Sequence, residues 1–123
     1  MLMVEYFKLV VFERYAQFTG RAGRAEYWWF FLANLIVSVL FNALGRATAL
    51  FALIGLLYSL ALLIPGIAVA IRRLHDTGRS GWWLLISLVP IVGIIVLIVF
   101  LATEGDPGAN EYGPPDPGLA TAI

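Results

Sequence analysis

Residues 72–83 read Arg72-Arg73-Leu74-His75-Asp76-Thr77-Gly78-Arg79-Ser80-Gly81-Trp82-Trp83. This stretch holds three of the eight basic residues and the one histidine of the 123-residue chain. Long uncharged runs lie on both sides of it. We expect chemistry that needs a charged group to involve this stretch.

Composition indicates that the surrounding solvent is lipid. The chain is 61% hydrophobic and 13% charged, against roughly 45–50% and 25% in soluble domains. A single domain of this size has too much surface to hide that much apolar material from water. Cysteine is absent and histidine occurs once, which excludes a disulfide framework and a thiolate nucleophile. We predict no cofactor, no metal site and no nucleic-acid partner.

The uncharged runs are long enough to cross a bilayer. Residues 27–44 would form about 27 Å of helix and residues 47–71 about 37 Å, against a hydrocarbon core of about 30 Å. The third run, 82–103, is similar, with a kink expected at Pro90 and Gly93. We therefore predict an all-α integral membrane protein with three transmembrane helices. The remaining segments are an N-terminal interfacial amphipathic helix in 1–26, a cytoplasmic loop at 72–81 and an irregular acidic tail at 104–123.

Charge asymmetry predicts the orientation of these spans. Seven of the eight Lys and Arg residues lie in 1–26 and 72–81, and Arg46 is the eighth. The positive-inside rule therefore places those two segments in the cytoplasm. Three spans would leave the first loop and the tail outside. An even number of spans would place the tail beside the basic segments, and we expect that this would remove the charge asymmetry. Aromatic side chains at the start of spans one and three are predicted interface anchors: Trp28, Trp29, Trp82 and Trp83.

Polar side chains within the spans form a second pattern. Asn34, Ser38 and Asn42 recur every four residues and share one helix face, while Gly55 and Ser59 give a small-x-x-x-small pattern. This face could be a polar lane for a solute or a set of interhelical contacts, each worth about 0.6 kcal/mol. We favour interhelical contacts because no ionisable side chain lies within a span.

The arginines that are expected to gather on the cytoplasmic side allow two interpretations. They could recognise phosphate or anionic lipid, because guanidinium binds planar oxyanions through paired hydrogen bonds. They could instead set the topology and pair with Glu26 and Asp76. The candidate lipid or phosphate ligands are Arg21, Arg24, Arg72, Arg73 and Arg79.

His75 and Asp76 resemble a catalytic base beside a carboxylate. Adjacent residues on a helix point about 100° apart, so the two side chains cannot easily hydrogen-bond to each other. Beyond Thr77 and Ser80 no nucleophile is evident. We therefore predict that the chain is not an enzyme and that these residues shape the loop, with Gly78 ending one helix and Ser80 capping the next.

These motifs resemble those of a known family. Its marks here are Phe18-x-Gly-Arg-x-x-Arg-x-Glu-Tyr-Trp-Trp29, the block Arg72-Arg73-Leu-His-Asp76 and the later Pro90-x-x-Gly93. Over about residues 5–115 the chain resembles the bacterial inner-membrane family catalogued as domain of unknown function 805. The resemblance implies a multi-pass protein of the bacterial cytoplasmic membrane and supplies no catalytic residue. Glu111 departs from the family, since many members carry a basic residue there.

Three functional hypotheses follow. The first is a non-enzymatic structural or accessory bundle that associates with itself or with another membrane protein. The second is binding of anionic lipid or another phosphate ligand at the cytoplasmic arginines. The third is an oligomeric transporter or channel.

Overall fold

A computed structural model describes residues 2–117, and this part of the chain is helical without a named strand. The all-α prediction is confirmed. The helices are α1 (Leu2–Lys8), α2 (Arg24–Ala47), α3 (Ala49–Asp76) and α4 (Val92–Ala102), with a π-helical stretch at Leu9–Glu13 and a 3-10 helix at Gly81–Leu88.

The two long helices, α2 and α3, pack side by side and are apolar and long enough to cross a membrane. Thr48 separates them, and its hydroxyl accepts a hydrogen bond from the Phe51 N–H at 3.2 Å, which caps α3. Glycine permits the close approach of the helices: a Cβ on Gly45 would meet the Ala52 backbone at 3.1 Å. Tight packing of small residues is typical of helix pairs in lipid.

The N-terminal segment packs against both long helices. α1 continues into the π-helical stretch, and the chain from 14 to 23 is irregular. An amphipathic helix was predicted within residues 1–26, but the helical stretch ends at Glu13, so Tyr15 and Phe18 lie beyond it. The buried apolar cluster joins this segment to the first half of α2 and the second half of α3 through Val10, Ala22, Phe30, Leu62 and Val69.

The third apolar run, 82–103, is not one helix, and that prediction is wrong. The 3-10 helix and α4 form a hairpin, since the Trp83 and Phe100 rings at its two ends lie 5.3 Å apart. The Arg79 guanidinium sits 3.9 Å from the centre of the Phe100 ring. The run therefore returns to the end of the bundle from which it starts.

Three residues explain the reversal. Pro90 has no N–H, and its carbonyl accepts from the Val92 N–H at 2.7 Å across a three-residue turn. Ile91 at the centre of that turn has φ 66°, a strained conformation for a β-branched residue. Gly93 lets the carbonyl of Ile86 approach where a Cβ would overlap it.

The hairpin is too short to cross a bilayer. Its eight-residue 3-10 helix is about 16 Å long at 2.0 Å per residue. The 11 residues of α4 make about 16 Å at 1.5 Å per residue. Both arms reach about half of a 30 Å hydrocarbon core.

The tail lies at the same end of the bundle as the N-terminal segment. Arg14 pairs with Asp116 at 2.9 Å, and Arg21 donates to the carbonyl of Gly108 at 2.7 Å. Residues 104–117 therefore contact the N-terminal segment, whereas the sequence predicted the tail on the opposite side of the membrane. The cause is the hairpin, which returns the chain to its starting level. Residues 118–123 lie outside the described part.

Candidate functional site

Charged residues of the stretch 72–83, which we call the central motif, turn inward at the end of α3. Arg72 and Arg73 are 0% exposed and Asp76 is 7% exposed. α3 ends at Asp76, and Gly78 then adopts φ 77°, a conformation that glycine reaches without strain. The helix therefore delivers two guanidiniums and a carboxylate into the interior.

Asp76 joins two arginines from different parts of the chain. Its Oδ1 accepts from Nε of Arg21 at 2.8 Å, and its Oδ2 accepts from Nη1 of Arg73 at 2.6 Å. The Asp76 carbonyl also accepts from the backbone N–H of Asp106 at 2.7 Å. This one residue thus holds the N-terminal segment, α3 and the tail together.

Glu26 forms the second charged centre. Its Oε1 accepts from Nη1 of Arg14 at 2.8 Å, and its Oε2 accepts from Arg72. Glu26 is 1% exposed, so the carboxylate is desolvated and depends on these two cations. We call the whole arrangement the arginine node, which comprises Arg14, Arg21, Arg72, Arg73, Glu26 and Asp76.

Backbone carbonyls occupy most other donors of the node. Arg21 donates to the carbonyls of Asp106 at 2.6 Å and Gly108 at 2.7 Å. Arg73 donates to Leu101 at 2.9 Å and also to Thr103. Further carbonyls that accept from node arginines belong to Gln17, Ala22, Asp76 and Gly113.

His75 faces away from the node. Its Nδ1 lies 2.9 Å from the carbonyl of Gly20, and its ring stacks on Tyr112 with centroids 3.8 Å apart. Partial burial, and then the neighbouring Glu111, raise the pKa of the Tyr112 phenol, so the stacked ring is uncharged at neutral pH. Asp76 is engaged by the arginines, and no His75–Asp76 hydrogen bond occurs within residues 2–117.

The five predicted phosphate ligands do not form one surface. The structure brings Arg21, Arg72 and Arg73 together in the node. Arg24 is exposed at the start of α2, and Arg79 lies over Phe100. The predicted loop residue Ser80 accepts from the Trp82 N–H at 3.2 Å.

The four predicted interface tryptophans have different surroundings. Trp28 donates from Nε1 to the carbonyl of Leu101 at 3.2 Å, which ties α2 to the end of α4. Trp29 is partly exposed and Trp82 is 78% exposed. Trp83 packs edge-to-face on Phe100.

The polar face of α2 meets α3 at one position. Asn34 accepts from the Tyr58 hydroxyl at 2.9 Å. Ser38, Asn42 and Ser59 instead line an open groove between α2 and α3, with a volume of about 420 Å³. Within residues 2–117, Asn34 therefore makes a side-chain hydrogen bond across the helix pair, whereas the other three predicted interhelical residues make none.

Sequence reasoning missed Arg14 and Asp116 as members of this charged region. Arg14 lies in the segment that was predicted as an interfacial amphipathic helix, where a basic side chain reaches lipid headgroups. Asp116 was placed on the opposite side of the membrane, so no pair between them was considered. The Gly- and Pro-rich composition of the tail was the available signal, because an irregular segment leaves carbonyls free for arginine.

Two apolar helices of spanning length are typical of a helical membrane protein. The chain belongs to the family described as "Protein of unknown function (DUF805)", whose model matches residues 15–114. The resemblance seen in the motifs is confirmed.

Relatives of this family occur in Escherichia coli. Inner membrane protein YhaI of strain K12 is 48% identical over 106 residues, covering 85% of this chain and 90% of that protein. Inner membrane protein YhaH of the same strain is 40% identical over 116 residues, covering 90% and 95%. No solved structure matches the chain significantly.

Proposed function

We propose that this chain is a non-catalytic, multi-pass inner-membrane protein in which the arginine node closes the bundle as a structural or accessory unit. α2 and α3 cross the membrane, the hairpin enters and leaves on one side, and both ends of the chain share that side. The inner-membrane location is carried over from the names of the relatives.

The observation that carries this proposal is the internal use of the arginines. Arg21, Arg72 and Arg73 are at most 2% exposed, and each pairs with a buried carboxylate. One buried donor, Nη2 of Arg72, has no partner among residues 2–117, and it lies inside the protein where a headgroup cannot reach it. Such a centre holds segments together and leaves little positive surface for an external anion.

The same geometry argues against the cytoplasmic phosphate site. Four arginines meet the carboxylates of Glu26, Asp76 and Asp116 directly. A phosphate would have to displace these carboxylates from desolvated cations, and breaking a buried pair costs about 3–5 kcal/mol. A structural role is therefore the better account of the central motif.

Two node variants test the proposal. We expect Arg72→Gln and Arg73→Gln each to lower the free energy of unfolding in detergent micelles by about 3–5 kcal/mol, because each leaves a buried carboxylate short of a cation. Arg24→Gln is the matched control, since Arg24 is exposed. A fully stable Arg72→Gln or Arg73→Gln protein that loses co-purified anionic lipid would favour the phosphate-binding alternative instead.

A further inference from the structure

Arg46 is the one charged residue between positions 27 and 71. It stands in the last turn of α2, at the end of the helix pair away from the node. Every acidic residue of the described chain belongs to the N-terminal segment, the start of α2, the end of α3 or the tail. Arg46 therefore has no carboxylate partner within residues 2–117, so this part of the chain supplies it with no counter-ion.

The groove beside Arg46 has the size of a ligand site. Its volume is about 420 Å³, within the roughly 300–1,000 Å³ of small-molecule sites. It is lined on α2 by Ser38, Asn42 and Arg46 and on α3 by Gly55 and Ser59. The side chains of Asn42 and Arg46 make no hydrogen bond among residues 2–117. Polar groups at membrane depth need partners, which a passing acyl chain cannot supply.

The groove continues along the helix pair. Ser38 and Ser59 also line a second cavity of about 300 Å³, which continues towards Leu63, Ile67 and Leu84. The guanidinium of Arg46 thus stands at one end, and the apolar side chains of Ile67 and Leu84 line the other end beside Asn34, which is hydrogen-bonded to Tyr58. The hairpin reaches only about half of the bilayer core from the node side, so among residues 2–117 no third helix covers the half that contains Arg46.

We propose that this groove binds one phospholipid, with its phosphodiester on Arg46 and an acyl chain running towards Leu84. A guanidinium binds phosphate oxygens through two parallel hydrogen bonds, and Asn42 can donate to an ester or phosphate oxygen. The site lies in the leaflet opposite the node and is independent of the cytoplasmic arginines.

Charge complementarity favours a lipid over a second copy of the chain. A second copy brings no acidic residue to this level of the membrane, and a parallel symmetric contact would bring two Arg46 side chains together. Like charges in a low-dielectric setting repel. A phospholipid supplies the missing anion and the apolar chain in one molecule.

Native mass spectrometry of the protein from nanodiscs tests the site. Three lipids serve as probes: phosphatidylglycerol, phosphatidylethanolamine and a monoglycosyl diacylglycerol that has the same chains without phosphate. We expect both phospholipids to be retained and the glycolipid to be lost. Arg46→Gln should lower phospholipid retention about tenfold, one decade for about 1.4 kcal/mol.

Two further variants distinguish the loss of any exposed positive charge from the loss of the groove itself. Arg24→Gln removes an exposed arginine at the other end of α2 and should leave retention unchanged. Ser59→Leu fills the groove and should lower retention without removing a charge. Equal loss from Arg46→Gln and Arg24→Gln, retention of the glycolipid, or a dimer broken by Ser59→Leu with lipid unchanged would each overturn the proposal.

Discussion

At the residue scale, Asp76 carries two buried cations. No other carboxylate within residues 2–117 contacts Arg21 or Arg73. The pair of Arg73 and Asp76 is local, since the two residues are three apart on one helix. The pair of Arg21 and Asp76 joins segments 55 residues apart. One side chain thus couples the stability of α3 to the position of the N-terminal segment.

Gly105 controls whether the tail can reach this carboxylate. A Cβ at position 105 would overlap the Asp76 carboxylate, whereas a Cβ at Gly108 would meet no atom within 4 Å. We expect Gly105→Ala to lower the free energy of unfolding by about 1–3 kcal/mol, the usual cost of overpacking. Gly108→Ala should change it by less than about 0.5 kcal/mol. Chemical denaturation in micelles measures both, and equal stabilities would contradict the packing of the tail on Asp76.

The sequence predicted the members of the node better than their partners. The block from Arg72 to Asp76 stood out because charges are rare in this chain, and helix spacing places Arg73 and Asp76 on one face. The carbonyls of Leu101, Thr103 and the tail could not be predicted. They reach the node only because the third apolar run reverses, and residue types alone do not encode that contact.

At the element scale, the hairpin depends on Gly93. Helix propensity alone would make Gly93→Ala stabilising by about 1 kcal/mol, since Gly93 lies within α4. The added methyl would instead overlap the Ile86 carbonyl, so we expect a net loss of stability. Gly66→Ala in α3 is the control, because no atom lies within 4 Å of its added Cβ. Thermal unfolding in detergent, followed by tryptophan fluorescence, should show a lower midpoint for Gly93→Ala and an equal or higher one for Gly66→Ala.

A stabilised Gly93→Ala protein would contradict the hairpin and favour a continuous third helix. The apolar length of 82–103 suits either form, which explains why the sequence did not distinguish them. The decisive feature is the turn at Pro90 and Ile91. Proline also occurs within α3 at Pro65 without ending that helix, so its presence at Pro90 indicated a kink and not a reversal.

At the scale of the whole molecule, the charge count fits two spans as well as three. The positive-inside rule counts Lys and Arg, and acidic residues contribute little to it. The tail contains no basic residue. Placing it on the node side therefore leaves seven Lys and Arg residues on that side and one, Arg46, on the other. The expectation that an even number of spans would spoil the asymmetry was therefore mistaken. The orientation of α2 and α3 derived from that count is unchanged by the correction.

Single-cysteine labelling tests this arrangement, and the absence of native cysteine makes every label specific. Ala16→Cys marks the N-terminal segment, Thr48→Cys the turn between α2 and α3, and Ala109→Cys the tail. All three positions are exposed. A membrane-impermeant thiol reagent should reach Thr48→Cys from outside spheroplasts and the other two from the outside of inverted vesicles. Because two crossings return the chain to its starting side, Ala16→Cys and Ala109→Cys must react together. If Ala109→Cys were instead labelled from outside spheroplasts, as Thr48→Cys is, the third apolar run would cross the membrane and the tail could not reach Arg14 or Arg21.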